Sequence, residues 1–451
     1  MLRHGRSSAL LLWLILWISP VWAAAPTESI LPNGLRVILV PEPKAPVVTV
    51  QVWYRVGSRD ETTGKTGLSH LMEHMMFKGT NRYGKGAFSK SIAESGGNDN
   101  AFTSHDYTAY FENLSADQIG LALDLEADRM TGLVIADQEF NLERDVVKEE
   151  RRLRTEDDPE GTLVEHLYAT AYMAHPYRWP VIGWMDDLDR LTADDIRAYY
   201  RVHYTPTNAV LVIVGDINPR VLLPKIEAIF GAVHGPTAPP RPPVLDPPQR
   251  GERRVTVRKE AQLAAVMAGY HVPNYRHPDT YALTVLAALL AEGPSSRLHR
   301  SLVYERQLAL AAGGDYTALS ADPPLFYVYG MAHPTTPVAD LERALFDEVA
   351  KIAATPPAAR ELTKAKNQIE AQFLLGQDSN FYRAMQIGTA ETVGAGQGYL
   401  ASFVANIRRV TAADVVRVAK TYLGEDARTV GTLIPTSAAG PVVPSPSSAV
   451  P

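Results

Sequence analysis

The chain of 451 residues contains no cysteine. This absence excludes disulfide bonds, thiolate metal ligands and a cysteine nucleophile, so a transition metal would have to be bound by His, Asp or Glu. Basic side chains are not in excess either, because 44 Lys and Arg stand against 50 Asp and Glu, a net charge of −6. The sequence therefore lacks the overall positive field that attracts nucleic acid, and we expect no nucleic-acid partner.

Long apolar runs are also rare, and the run near the N-terminus is too short to span a membrane. Arg3 and Arg6 precede ten uncharged, mostly apolar residues at 9–18, and three alanines follow at 23–25. A spanning helix needs roughly 20 apolar residues, so the pattern predicts a cleaved signal peptide at 1–25 rather than a membrane anchor. We expect an exported protein of the bacterial periplasm with no stable membrane span.

The remaining composition, 46% hydrophobic and 21% charged, is typical of a folded globular protein. Residues 236–250 are an exception, since they contain seven prolines. Proline at this density prevents helix and central strand, so the segment is predicted to link an N-terminal half, 26–235, to a C-terminal half, 251–436. The tail 437–451 is rich in Pro, Ser and Val and is predicted to be disordered.

The two halves share a pattern near their ends. A predicted helix that begins after Thr192 precedes a β-branched run at 209–215, and a predicted helix after Thr411 precedes a strand pattern at 428–434. We therefore expect an α+β fold of two related α/β-sandwich halves. Each half should be a mainly antiparallel sheet packed with helices.

Local patterns predict further elements of the first half. Alternating apolar and β-branched residues predict strands at 34–41 and 47–56, and 102–114 has the same strand-like pattern. A long charged helix is predicted at 137–156, with Asp137 as its N-cap.

The strongest chemical signal is a segment with the order His-x-x-Glu-His. His70 and His74 are four positions apart, so on a helix both imidazoles lie on one face, about 40° apart, where one tetrahedral ion can bind both. Glu73 precedes the second histidine and would hold its carboxylate beside the open position of that ion as a proton acceptor. The apolar residues of this segment are typical of core packing, which leaves these three side chains for chemistry.

A catalytic zinc ion needs a third protein ligand and an open position for water. The acid-rich segment 137–156 offers four candidates: Glu139, Glu143, Glu149 and Glu150. A spacing of seven places Glu143 and Glu150 on one helical face, whereas Glu149 points about 100° away from Glu150. One face can thus provide a ligand and a supporting carboxylate, while Glu139 and Glu149 are expected to be solvated.

These residues resemble the pitrilysin, insulinase and mitochondrial processing peptidase family of zinc endopeptidases. The family pattern is His-x-x-Glu-His with a Glu about 76 residues after the second His, a position that is Glu150 here. Glu143, seven residues earlier, matches a family Glu that supports catalysis. Segments 96–104 and 175–184 also match, the first of them the substrate-pairing edge strand. The resemblance extends from about residue 30 to 435, and the shorter bacterial and mitochondrial-type members are the most similar in length.

The resemblance implies a zinc metalloendopeptidase with one Zn²⁺ ion bound by His70, His74 and Glu150. Zinc would lower the pKa of a bound water, Glu73 would take its proton, and the resulting hydroxide would attack a peptide carbonyl. Glu143 would support the site as a second catalytic carboxylate.

The resemblance also implies how a peptide substrate binds. The strand at Asn100, Ala101 and Phe102 would hold the backbone of an unfolded peptide or short polypeptide by strand addition. The C-terminal half contains no His-x-x-Glu-His, and in the family this non-catalytic half often carries an Arg and a Tyr that bind the substrate carbonyl. Arg297 keeps a basic residue in the matching stretch, but Leu310 stands where the family usually has Tyr. This departure favours a related partner subunit that supplies the Arg/Tyr pair in a heterodimer. The alternatives are a homodimer, or a chain that works alone with weaker stabilisation of the transition state.

Two other functions are compatible with the motif. The chain could be a non-catalytic assembly or scaffold subunit that retains a metal site, although such a subunit is expected to lose part of the motif. It could instead be a metal-dependent hydrolase of substrates other than peptides, against which the edge-strand segment argues.

Overall fold

The computed structural model describes residues 26–436, and the predicted signal peptide and tail lie outside the described residues. Within that range, no helix combines the length and the apolar character needed to cross a lipid bilayer.

The first half of the described chain contains a six-stranded sheet. Its strands are β1 (Thr27–Ile30), β2 (Arg36–Pro41), β3 (Val47–Tyr54), β4 (Asn98–Thr103), β5 (Thr108–Ser115) and β6 (Ala209–Gly215). Their order is β1-β2-β6-β3-β5-β4, and every neighbouring pair is antiparallel except β2 and β6. The strand β4 is therefore at the outer edge.

The second half contains a five-stranded sheet of the same design. Its strands are β7 (Arg253–Lys259), β8 (Ala265–His271), β9 (Ala309–Tyr316), β10 (Leu325–Ala332) and β11 (Arg428–Pro435). The order is β7-β11-β8-β10-β9, with β7 and β11 parallel and the other pairs antiparallel. The two sheets therefore match strand for strand from β2 and β7 onward, which confirms the expected pair of related α+β halves.

Helices cover both sheets. In the first half they are α1 (Leu68–Met75), α2 (Ala87–Glu94), α3 (Ile119–Gly132), α4 (Asp137–Arg151), α5 (Pro159–Ala171), α6 (Met185–Arg190), α7 (Ala193–His203) and α8 (Pro219–Phe230). In the second half they are α9 (Thr280–Leu290), α10 (Val338–Ala354), α11 (Ala359–Gly376), α12 (Asn380–Val393), α13 (Gly396–Arg409) and α14 (Ala412–Tyr422). Thr192 and Thr411 cap α7 and α14 in capping boxes, as predicted.

Two local predictions were wrong. The run 102–114 is not one strand, because a turn at 104–107 divides it into the antiparallel pair β4 and β5. Asp137 is not the N-cap of α4, since Ala136 has that position in extended conformation and Asp137 is the first helical residue, paired with Arg197. The predicted helix 137–156 also changes after α4 into one wide π-helical turn, Arg152–Glu156.

Each half completes its sheet with a helix of the other half. The outer face of the first sheet, which includes Trp53 and Val212, packs against Ala384 and Ile387 of α12. A Cβ at Gly388 would lie only 2.1 Å from the Trp53 ring, so this close approach requires glycine. In the opposite direction, α5 packs its leucines against the second sheet. The two contacts together form a reciprocal exchange of helices.

A buried group of polar side chains, here called the inter-half cluster, also joins the halves: Arg59, Asp106, His175, Tyr177 and Asp322. Arg59 Nε donates to Asp322 Oδ2 at 2.6 Å, and His175 Nε2 lies 3.1 Å from the same oxygen. The Tyr177 hydroxyl donates to Asp106 Oδ2 at 2.7 Å and accepts from the Asp322 backbone N–H at 3.1 Å. Because these groups are shielded from water, each charge depends on its partners in the cluster.

Residues 236–250 form neither a helix nor a strand. They are nevertheless attached to the first half by several hydrogen bonds. The Pro242 carbonyl accepts a hydrogen bond from Arg59 Nη2 at 2.8 Å, and the Asp246 carboxylate accepts one from the backbone N–H of Ala174 at 2.7 Å.

Candidate metal centre

The helix α1 presents the His-x-x-Glu-His residues along one side. Leu71, Met72 and Met75 are fully buried in the core of the first half, as their apolar character predicts. The helix begins after Gly67, whose φ of +87° is in the left-handed region that favours glycine. Buried Glu61 accepts the backbone N–H of Gly67 at 2.8 Å, and so fixes the start of the helix that carries the histidines.

The structure brings together the three predicted ligands. Glu150 Oε2, near the end of α4, lies 3.6 Å from His70 Nε2 and 3.4 Å from His74 Nε2. One ligand atom from each residue lies within 4.8 Å of the others, and this is the one such group of three or more His, Asp or Glu found among residues 26–436. Two imidazole nitrogens and one carboxylate oxygen are the donor set of a catalytic zinc site, so the residues fit the ion.

Glu143 contacts this group through the second ring nitrogen of His74. His74 Nδ1 lies 2.9 Å from Glu143 Oε1, and Lys78 Nζ lies 2.5 Å from Glu143 Oε2. The Glu143 carboxylate accepts a hydrogen bond from Nδ1–H, the usual outer contact of a metal-binding histidine, and leaves Nε2 as the nitrogen that faces Glu150 and would bind an ion. By contrast, the Glu149 side chain is 65% exposed and pairs with Arg152, as the helical spacing predicted.

The two imidazoles are held in different protonation states. Burial and the neighbouring charge of His74 lower the pKa of His70 to about 4, so His70 is neutral at pH 7, as a ligand must be. Burial also disfavours a charge on His74, but the hydrogen bonds and charges of Glu143 and Glu150 outweigh it and raise the pKa of His74 to about 9. A metal ion must therefore displace one proton from His74.

This proton sets an expected pH dependence of zinc binding. Since His74 is protonated below about pH 9 in the metal-free protein, zinc affinity should rise about tenfold per pH unit up to that pH and level off above it. Competition with a chromophoric chelator across this range measures it. The Glu143→Gln variant removes a group that raises the His74 pKa, so the zinc affinity of this variant should level off at a lower pH. A flat profile in the unsubstituted protein would contradict the assignment.

Glu73 stands beside the three candidate ligands without belonging to them. The Thr103 hydroxyl of β4 donates a short hydrogen bond to Glu73 Oε2. Burial raises the pKa of Glu73 above its ordinary value, although Thr103 opposes the shift. A carboxylate with a raised pKa is a better proton acceptor from water, which suits a general base. Thr103 was missed from the sequence, although strand alternation places it on the same face as Ala101.

A cavity of about 750 Å³ opens over these residues. Asn100, Ala101 and Phe102 line it together with His70, His74 and Glu150, which are here called the metal group. The predicted substrate strand and the metal group therefore face the same cavity. The Phe102 ring packs edge-on against Trp53, with ring centroids 5.4 Å apart. Because β4 is the outer strand of its sheet, its free edge can accept an added peptide strand.

The second half contributes no residue to the lining of this cavity, all of which comes from residues 70–182. Arg297 does not line the cavity. Its Nε and Nη2 instead donate to the carboxylate of Glu361 at 2.7 and 2.8 Å. Leu310 is on the edge strand β9 and is 44% exposed. The structure thus does not bring Arg297 to the metal group.

The fold and the site define a class of metallopeptidases in which one helix carries the inverted order His-x-x-Glu-His. Comparison of the sequence with known families gives two matches. Residues 36–183 match the family described as Insulinase (Peptidase family M16), and residues 190–369 match the Peptidase M16 inactive domain. The chain belongs to this insulinase family of peptidases.

Individual relatives of the chain support this family assignment. A zinc protease, PqqE, of Helicobacter pylori is 36% identical over 400 residues, which cover 88% of this chain and 90% of the relative. A probable mitochondrial-processing peptidase subunit beta of Arabidopsis thaliana is 28% identical, covering 87% of this chain and 75% of the relative. A crystal structure of a protease from Helicobacter pylori has a TM-score of 0.88 and 34% identity, covering 91% of this chain and all of that one.

Proposed function

We propose that this chain is an exported, zinc-dependent endopeptidase that hydrolyses peptide bonds in unfolded peptides or short polypeptides, with the bacterial periplasm as its location. The observation that carries this proposal is the meeting of His70, His74 and Glu150 beside Glu73, in a cavity bordered by a free strand edge. The names of the curated relatives support zinc and proteolysis.

Each residue of the site has its own role in the proposed hydrolysis. His70, His74 and Glu150 would hold one zinc ion, which when bound supplies a Lewis acid and acidifies a water molecule. Glu73 accepts the proton of the attacking water and returns it to the leaving amine. Because the Thr103 hydroxyl holds Oε2 of Glu73, the other carboxylate oxygen is left to take that proton.

The substrate backbone is held by β4. An extended peptide that pairs with the free edge at Asn100, Ala101 and Phe102 gains main-chain hydrogen bonds that do not depend on its sequence. Folded proteins cannot offer such a free strand, so the geometry favours unfolded substrates.

A matched pair of substitutions in α4 tests the metal centre. Glu150→Gln removes the anionic ligand and should weaken zinc binding by at least about 100-fold, with loss of chelator-sensitive peptide cleavage. Glu149→Gln changes the neighbouring carboxylate on the outer face and should alter neither property. Zinc analysis after dialysis and cleavage of an unfolded peptide give the two readouts. Equal zinc content in both variants would contradict the proposal.

We further propose that a related subunit completes the active site in a heterodimer. Two observations support it: no residue of the second half lines the cavity, and Leu310 has no hydroxyl to donate to a substrate carbonyl. One missing oxyanion donor typically costs about 10²–10³ in rate. Purification alone and with related chains tests this, and full activity of the isolated chain, unchanged by any partner, would contradict it.

A non-catalytic role is the alternative. The description of the matched inactive domain applies to residues 190–369, which contain no His-x-x-Glu-His. The intact His70, Glu73, His74 and Glu150 favour catalysis in this chain, because a scaffold subunit has no need of the base.

A further inference from the structure

Arg154 lies immediately beside the metal group. It belongs to the wide turn Arg152–Glu156 that follows α4, and its Nη1 is 2.9 Å from Glu150 Oε1, the oxygen that does not face the histidines. Its side chain is 75% exposed and lines the cavity. A guanidinium group is therefore one hydrogen bond away from a candidate metal ligand and open to whatever enters the cavity.

The turn that carries Arg154 is held in place by the second half. Lys259 Nζ, on β7, donates to the Thr155 carbonyl at 3.3 Å and to the Thr162 hydroxyl at 2.8 Å. Two residues before Arg154, the similarly long Arg152 pairs with Glu149 and does not line the cavity. The wide turn thus separates two arginines, one outside the cavity and one inside it.

Arg154 has unused binding capacity. A guanidinium carries five N–H donors, and the contact with Glu150 is its one ion pair among residues 26–436. Arg178 also lines the cavity and donates from Nη1 to the Met173 carbonyl at 2.8 Å. The acidic lining residues are engaged, since Thr103 binds Glu73 and Arg151 binds Glu165. A negatively charged group of a bound peptide would therefore meet Arg154 beside the metal group, with Arg178 in the lining of the same cavity.

We propose that Arg154 binds a carboxylate of the peptide substrate, so that this site prefers peptides with an Asp or Glu side chain, or a free C-terminus, close to the scissile bond. The proposal rests on the proposed peptidase function and adds a substrate class to it. A planar guanidinium pairs with a carboxylate through two parallel hydrogen bonds, a geometry that lysine cannot reproduce. Arg154 is thus a group that contacts substrate, in addition to its contact with Glu150.

Binding to an uncleaving protein tests the proposal separately from catalysis. All proteins carry Glu73→Gln, and fluorescence anisotropy measures the affinity of labelled unfolded peptides that differ only as Asp against Asn, or as a C-terminal acid against an amide. The measurement is made with zinc and after zinc removal. The Asp peptide, the free acid or both should bind about tenfold more tightly than the neutral counterpart, and high salt should reduce the difference.

Substitutions then assign the preference to Arg154. Arg154→Gln should abolish it, Arg154→Lys should restore part of it, and the matched control Arg152→Gln should leave it unchanged. Equal binding of acidic and neutral peptides to the Glu73→Gln protein, or a preference that survives Arg154→Gln, would overturn the proposal. Peptide cleavage by the chain with Glu73 intact is measured separately, alone and together with related subunits, and its absence in both cases would overturn the proposed function without touching the carboxylate preference.

Discussion

Replacement of Glu73 with glutamine is expected to lower kcat for peptide cleavage by about 10³-fold while zinc remains bound. The amide cannot accept a proton, and general-base catalysis typically contributes 10²–10⁴ in rate. Glutamine has nearly the same size and can still accept the Thr103 hydrogen bond through its carbonyl oxygen, so the fold should not change. The proposed ligands His70, His74 and Glu150 are untouched, so the zinc content should equal that of the unsubstituted protein.

Steady-state cleavage of an unfolded peptide and zinc analysis on the same preparation measure this prediction. Because β4, the proposed substrate-binding strand, is intact, KM should change little and the loss should lie in kcat. Thr103→Val is a second test variant, because it removes the hydrogen bond to Glu73 but leaves the Glu73 carboxyl group in place. Its kcat should therefore fall less than that of Glu73→Gln. Cleavage at the original rate in Glu73→Gln would show that another group accepts the proton.

The second large effect is expected at the inter-half cluster, where Asp322→Ala should lower the free energy of unfolding by about 3–5 kcal/mol. The substitution leaves the buried Arg59 without the carboxylate 2.6 Å from its Nε, and it removes the partner of His175 Nε2. Arg59 keeps Asp60 Oδ1 at 3.2 Å from its Nη1, but its Nε and His175 Nε2 lose their acceptor at a site where water cannot replace the lost carboxylate.

Urea unfolding followed by circular dichroism measures this loss. The control is Asp378→Ala, because the Asp378 side chain is 73% exposed and its pair with Lys44 is at the surface, so its effect should stay within about 0.5 kcal/mol. Equal midpoints for the two variants would show that the buried charges do not stabilise the junction.

The two histidines, and the helical face that carries Glu143 and Glu150, could be predicted because short-range spacing determines them. Helical periodicity places His70 and His74 on one face, and the same rule sets Glu143 with Glu150 and turns Glu149 outward. Family resemblance then selected Glu150 as the third ligand, and the structure places it 3.4 Å from His74. The capping boxes at the two related helices follow from equally short patterns.

The features that sequence did not reveal depend on residues far apart in the chain. The turn at 104–107 contains neither Gly nor Pro, and its Asp106 is held by Tyr177 and by the backbone N–H of Ala321, more than two hundred positions away. Period-two alternation alone therefore joined two strands into one. The wide turn after α4 likewise depends on Lys259, a residue of the second sheet.

Because α5 and α12 each pack on the sheet of the other half, either half alone would lack a helix that covers part of its sheet. A fragment that ended at residue 235 would expose the Trp53 face of its sheet to water, and such bare apolar faces lead to aggregation. In the uncut chain, a single proteolytic cut within 236–250 would produce two polypeptides that stay bound to each other through these helices, with the cavity beside His70 and His74 still assembled. One gene product could in this way persist as a pair of noncovalently bound chains.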